Sequence, residues 1–399
     1  MASSASNFIF SVLVARALDT SVLGIFATLM AIYSVVVGIG RAFTSEPMIF
    51  NEISVSKHQG GERAGANLST NFVLGLFFGI IVFVGVAFLS RDYVLSVIFA
   101  IAMPLVLMQD GLRYVMIGEG AQKWAFASEL LWLAVQVPLM VLLASQRSLT
   151  EFLLCWEVGA AASVLLGIWQ TRARFALASC INWLKDVFRV GSVYAVDFVL
   201  SSGINQLTVF ILVVSGGFQA AGDLRAAQIL LTPIMVFTLG VSFALSPEVT
   251  RFARQGSKRG LRLTAAGYGV GVTALSVGWV LAVELLPTRV VAALLGESAI
   301  GGIDTLPFAA GAVCLLGISV GPGLALRAIG RVKNSMYIKA VMAPLTLVFV
   351  ALGSGGYGAA GSQVGLMIGN SIRSISSWLL LSRSLSSFNS EAIRRSESV

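Results

Sequence analysis

The chain has 399 residues, of which 57% are apolar and 12% charged, whereas a soluble chain carries about a quarter charged residues. Its net charge of +8 comes from 27 Lys and Arg against 19 Asp and Glu. That balance excludes a large soluble catalytic domain. Three cysteines, Cys155, Cys180 and Cys314, have no paired spacing, and His58 alone cannot build a multi-histidine metal site.

Apolar windows repeatedly reach the ~20 residues needed to cross about 30 Å of hydrocarbon. They lack the short alternating pattern of a transmembrane barrel. The fold class is therefore an all-α polytopic membrane protein. In chain order the predicted spans are 2–18, 21–43, 67–89, 93–117, 123–144, 149–171, 189–215, 222–246, 263–287, 305–328, 334–353 and 358–382. Ala15-Arg16-Ala17 resembles a signal-peptidase site, but no basic region precedes the apolar run, so 2–18 reads as a first helix.

The basic residues set the expected orientation. Only Arg16, Arg91, Arg147, Arg225 and Arg289 fall at outward ends if the N-terminus is cytoplasmic, which leaves 22 of the 27 facing inward. Both termini are then expected in the cytoplasm of a bacterial plasma-membrane protein. The same asymmetry explains the basic excess without nucleic acid. Inward loops are long at 44–66 and 171–189, and outward loops are short, the longest being Leu286 to Asp304. Segment 172–188 is expected to be a cytoplasmic linker between an N-terminal lobe, 1–171, and a C-terminal lobe, 189–382. Trp183, Leu184, Val187 and Phe188 beside Lys185 and Arg189 make part of it amphipathic. Residues 383–399 read as a short polar tail.

The two sets of six spans show traces of a repeat. Asn7 aligns with Asn205 and Gly24 with Gly222. Gly40, Phe43 and Pro47 align with Gly240, Phe243 and Pro247, and Gly111-Leu112 aligns with Gly323-Leu324.

Several of these residues carry a likeness. Val14-Ala15-Arg16-Ala17-Leu18 ends the first span, Gly24-Ile25-Phe26 opens the second, and Gly40-Arg41-Ala42 with Ser45-Glu46-Pro47 closes it. Together with Gly111-Leu112-Arg113-Tyr114, they resemble the polysaccharide transporters of the multidrug/oligosaccharidyl-lipid/polysaccharide flippase superfamily, which include O-antigen and capsule-unit flippases. The resemblance implies about twelve helices in two six-helix lobes around a central cavity, and alternating access. It further implies a substrate of undecaprenyl-diphosphate-linked oligosaccharide. The protein would be monomeric, with membrane lipids and glycan-assembly enzymes as partners and no cofactor. One departure concerns coupling: multidrug exporters of the superfamily commonly carry an acidic residue in the first helix, and Asn7–Leu18 has none.

Charged groups at membrane depth are expensive and face protein or water, so each is a candidate. Asp110 and Arg113 lie three residues apart on one helix face, and Glu129 falls at similar depth on the next helix. They read either as a structural ion-pair cluster or as a diphosphate receiver. Asp197, Ser201, Ser202, Asn205 and Gln206 would give the seventh span a wet face, for interhelix hydrogen bonding or for a substrate path. Arg16 and Arg225 run against the charge asymmetry, and either snorkel beside Asp19 and Asp223 or attract an anionic headgroup. Arg41 joins the candidates through its setting; Glu157 pairs with nothing evident in sequence, and Arg373, inside the last span, is placed to snorkel inward. No nucleotide-binding motif is present: Gly267-x-Gly269-x-Gly271 follows no strand and reads, like Gly75-x3-Gly79, as a helix contact. The alternatives are a small-molecule exporter of the same superfamily and, less favoured, a glycan polymerase or acyltransferase. A membrane enzyme of that kind calls for a catalytic outward loop or a His/Asp constellation.

Overall fold

The computed structural model of the chain describes residues 2–49, 61–143, 148–297 and 300–388. Lys57, His58, Arg147, Arg394 and Arg395, which entered the topology and metal readings, lie outside the described residues. The described chain is helical almost throughout: α1 (Ala2–Ala17), α2 (Thr20–Gly40), a π-helical segment (Arg41–Ser45), α3 (Glu46–Ile49), α4 (Gly61–Ser90), α5 (Tyr93–Gly118), α6 (Gln122–Leu143) and α7 (Leu149–Thr171). Then follow α8 (Leu177–Phe198), a second π-helical segment (Val199–Gly203), α9 (Ile204–Arg254), α10 (Lys258–Glu284), α11 (Thr288–Leu295), α12 (Ile300–Ala328) and α13 (Val332–Ser386).

Two of these helices are double crossings. The continuous helical stretch Leu177–Arg254 breaks its backbone at Gly217, with φ 73°. The other, α13, breaks at Tyr357 and Gly358, where Gly358 has φ 55°. Only glycine tolerates such backbone cheaply, so the breaks sit at glycine rather than at the helix prolines. Nine described helices are long and apolar enough to span, and two of them hold two crossings each. With α1 added, the described residues supply twelve crossings, the expected number.

The chain forms two compact units, Met1–Leu18 with Ile25–Gln206, and Asp19–Gly24 with Leu207–Val399. The division after Gln206 lies well beyond the 172–188 segment where the sequence suggested a linker. The segment is itself helical from Leu177 onward. Its Cys180, Trp183, Val187 and Gly191 are buried at helical spacing while Ile181 and Phe188 stay exposed. That buried stripe packs against α4 and the first π-segment, so the helix belongs to the first unit rather than to a loop.

Within the first unit, α4 and α5 pack so closely that a Cβ on Gly75 would lie 2.3 Å from Pro104 Cα, and one on Gly79 would lie 2.8 Å from Ala100 O. The Gly75-x3-Gly79 contact is therefore present. The Gly267–Gly271 series behaves differently: a Cβ at Gly267 or Gly271 would meet nothing within 4 Å, and only Gly269 abuts a neighbour, Ile318. Within the second unit, the two arms of α13 zip together on glycine and small residues. Gly361 faces Gly353 O, Gly365 faces Phe349 O, and Gly369 faces Thr346. At the outer end expected for Leu286–Asp304, the short α11 buries Val291 against Val280, Val283 and Leu306.

Candidate functional site

The end of α2 organises the candidate site. Pro47 has no N–H, and the helix before it widens to π geometry, with the Glu46 N–H reaching Arg41 O. The hydroxyl of Thr44, fully buried, shares its one hydrogen between Gly40 O at 2.8 Å and Asn71 Oδ1 at 3.1 Å. Asn71 in turn donates to Asn67 O at 2.9 Å and to Asn67 Oδ1 at 3.0 Å. Gly111 on α5 makes room for both asparagines, since a Cβ there would stand 2.5 Å from each side chain. Behind the π-segment, α8 brings Gly191 against Phe43 O, where a Cβ would come within 2.2 Å. The segment is thus pinned from three sides. Asn71→Leu takes the donor from the fully buried Asn67 Oδ1 and leaves the Thr44 hydroxyl with Gly40 O alone among these acceptors, which costs about 1–3 kcal/mol. A lowered thermal midpoint of the purified variant, with normal insertion, checks this.

The pinned turn sets Arg41 in front of α5. Its Nε donates to Asp110 Oδ2 and its Nη2 to Asp110 Oδ1, each at 2.9 Å, a bidentate pair. Arg113 holds the same Asp110 oxygen from three residues along and reaches Glu129 Oε1 of α6 through Nη1 at 2.7 Å. Tyr114 adjoins both cations, its ring centroid 5.3 Å from the Arg41 guanidinium carbon and 5.2 Å from that of Arg113. Two arginines and two carboxylates balance one another, as burial at membrane depth demands. The members are unequally accessible: the Arg41 side chain keeps 31% of its surface, Asp110 only 6%. Arg113 Nε is buried with no acceptor among the described residues.

Of the residues singled out in sequence, the structure gathers Arg41, Asp110, Arg113 and Glu129. It does not bring Arg16, Asp197, Asn205, Gln206 or Arg225 into these ion pairs. Arg16 and Asn205 are exposed, and Arg225, half-buried, lies in the second unit. Asp197 is half-buried on α8, one residue before Phe198, whose ring presses on Gly38 of α2. The Ser201 hydroxyl bonds back to Asp197 O within the helix. Sequence reasoning passed over Tyr114 as a site residue, and it passed over Asn67 and Asn71, whose i,i+4 spacing in an otherwise apolar helix is a visible polar stripe.

No family model matches the sequence, and no curated protein does. Solved structures do. An inward-facing multidrug resistance MATE family transporter of the MOP superfamily superposes with TM-score 0.74 at 16% identity, over 97% of this chain and 95% of that one. The lipid II flippase MurJ in an inward closed conformation gives TM-score 0.65 at 14% identity, over 96% and 86%. A MOP superfamily transporter from Pyrococcus furiosus gives 0.59 at 14%, over 97% and 94%.

The chain has the fold of these transporters.

The likeness covers the chain nearly end to end, so the helices form one known architecture rather than an assembly of unrelated pieces. It agrees with an all-helical, multi-pass membrane fold of twelve helices.

Proposed function

We propose that the protein is a transporter of the bacterial plasma membrane that moves an undecaprenyl-diphosphate-linked oligosaccharide by alternating access, with both termini cytoplasmic. The observation that carries this reading is the Arg41–Asp110–Arg113–Glu129 group, and above all its unequal exposure. A diphosphate presents several charged oxygens, the geometry that guanidinium forks receive best. Arg41 is reachable and already polarised by a carboxylate, and Arg113 keeps an unused Nε donor. An arriving diphosphate would take the Arg41 fork from Asp110, leaving Asp110 to Arg113. The exchange keeps every buried charge paired, so it avoids the large cost of an isolated ion. Asp197, Asn205, Gln206, Arg16 and Arg225 are assigned to the remaining sugar and headgroup path.

The rival reading is a small-molecule exporter, favoured by the aromatic rings around Trp156 and by the multidrug transporter likeness. A cationic drug would need an accessible carboxylate, however: Asp110 is already held by two arginines, and Glu157 beside Trp156 is buried. Complementation of a flippase-deficient glycan pathway decides between them. Arg41→Gln removes a charged contact worth about 1.5–3 kcal/mol, so translocation is expected to fall by about tenfold or more, with unchanged membrane yield. Asp197→Asn is expected to fall likewise. Full activity in both variants removes the site assignment. Unaltered lipid-linked sugars on deletion, together with raised drug sensitivity, establish the exporter instead.

A further inference from the structure

Among the described residues, a buried carboxylate stands outside the diphosphate group. Glu157 lies on α7 and is 8% exposed, between Trp156 at 1% and Ala160 at 0%. Its Oε1 is buried with no donor, and it belongs to none of the ion pairs among the described residues. The residue before it in the chain, Trp156, lies in a cluster of rings. Trp156 stacks on Phe10 of α1 at 6.1 Å and meets Tyr33 of α2 edge-on at 5.2 Å and Trp132 of α6 at 5.8 Å.

The helices packed on α7 hold no countercharge at this level. On α6, Trp132 meets Gly159 and Ser128 bonds to Ser163, which sets the register. Glu129 then lies about 8 Å along the axis from Glu157, and Lys123 further still. On α5, Leu112 meets Gly167, which leaves Asp110 and Arg113 roughly 12 Å or more away along the axis. From α2 the titratable groups are Tyr33 and Arg41, and Arg41 is engaged with Asp110. From α1 there is only Arg16, near its end, and α7 itself adds Glu151 and Cys155. Gln136 of α6 is a second oddity, 1% exposed with its Oε1 also lacking a donor.

An ionised carboxylate in such surroundings has neither a cation nor a donor to offset its desolvation, whereas a carboxylic acid is neutral and supplies its own donor. We propose that Glu157 is a reversible proton-binding site of the first unit, loaded when α7 is packed as seen and unloaded when that packing opens. Proton occupancy then biases the unit between states by linkage. Through it a proton gradient can drive transport. This last step rests on the transporter reading; the proton site does not.

The test separates the two. Infrared difference spectra of the purified protein, acid minus alkaline, are expected to show a protonated-carboxyl band that is absent in Glu157→Gln and shifted in Glu157→Asp. The same band in wild type and Glu157→Gln overturns the site, whatever the protein transports. In proteoliposomes holding a fluorescent undecaprenyl-diphosphate sugar, an imposed pH gradient is expected to stimulate wild-type translocation and to leave Glu157→Gln at its ungradiented rate. Equal stimulation of both overturns the coupling role. No translocation in any variant refutes the substrate reading and leaves the infrared result to decide the proton site.

Discussion

Asp110→Ala is expected to be the most damaging single substitution in the first unit, lowering stability by about 3–5 kcal/mol and depleting folded protein from the membrane. Asp110 is 5% exposed and accepts from Arg41 through both oxygens and from Arg113 through one of them. Its removal leaves two neighbouring guanidinium groups beside Tyr114, with Glu129 still held by Arg113. The mutual repulsion of the two neighbouring cations adds to the lost bonds. Fluorescence-detected size-exclusion and thermal melts of the solubilised protein measure the effect. The second half of the expectation concerns charge balance. Asp110→Leu with Arg41→Leu restores neutrality, with Arg113 still on Glu129, so the double variant is expected to be more stable than Asp110→Leu alone. Coupling of this sign and of 0.5–3 kcal/mol is what a shared network produces. Strict additivity of the two substitutions would mean that the four side chains do not act as one group.

How much of this group could be read from sequence follows from chain distance. Asp110 and Arg113 share a helix face by spacing alone, and Glu129 follows across a tight turn, so their association was legible. Arg41 is 69 residues from Asp110, and no local rule pairs them. Their meeting depends on the π-widened turn at Arg41–Ser45 and on Gly40 and Gly111, which let α2 and α4 close on α5. Arg41 entered the candidates through a motif likeness, and its actual partner came only with the fold. The wet face drawn from Asp197 to Gln206 has a comparable weakness. A π-segment, Val199–Gly203, falls in the middle of it, and it shifts the register on which a single helical face depends.

The helices themselves were more legible where the apolar run ended at charges or glycine. The span 149–171 coincides with α7, because Arg147 and Arg172 bracket it and Ser148 lies at its start. Gly216-Gly217 and Gly355-Gly356-Tyr357-Gly358 marked the two sharp returns. The helix that carries the seventh span begins before it, at Leu177, for a physical reason. Lys185, Asp186 and Arg189 dilute any window average over Leu177–Phe198, while the buried stripe Cys180, Trp183, Val187, Gly191 keeps helical period throughout. Periodicity, not average hydropathy, was the signal that mattered there.

Gly24→Ala and Gly222→Ala are the other pair with a large expected effect, and they test a relation first noticed as a repeat. The two glycines align between the halves of the sequence, and in the second unit they face one another's helices. A Cβ on Gly24 would lie 1.8 Å from Phe218 O and 3.0 Å from Gly222 N. A Cβ on Gly222 would lie 2.0 Å from Thr20 O. Both obstacles are backbone, so no rotamer change relieves them, and the helices must separate. Overpacking of this kind costs about 1–3 kcal/mol, and here it is expected near the upper end or beyond for either methyl group. Gly267→Ala and Gly271→Ala, with nothing within 4 Å, are the matched controls and are expected to be neutral or slightly stabilising. The double variant Gly24→Ala/Gly222→Ala carries the sharper expectation. Once one methyl has forced the crossing apart, the second enters space already opened, so the combined loss in thermal midpoint should fall clearly short of the two single losses together. Full additivity would place the two contacts on independently moving segments. It would then refute a single crossing in which Thr20–Gly24 and Phe218–Gly222 fix each other's approach.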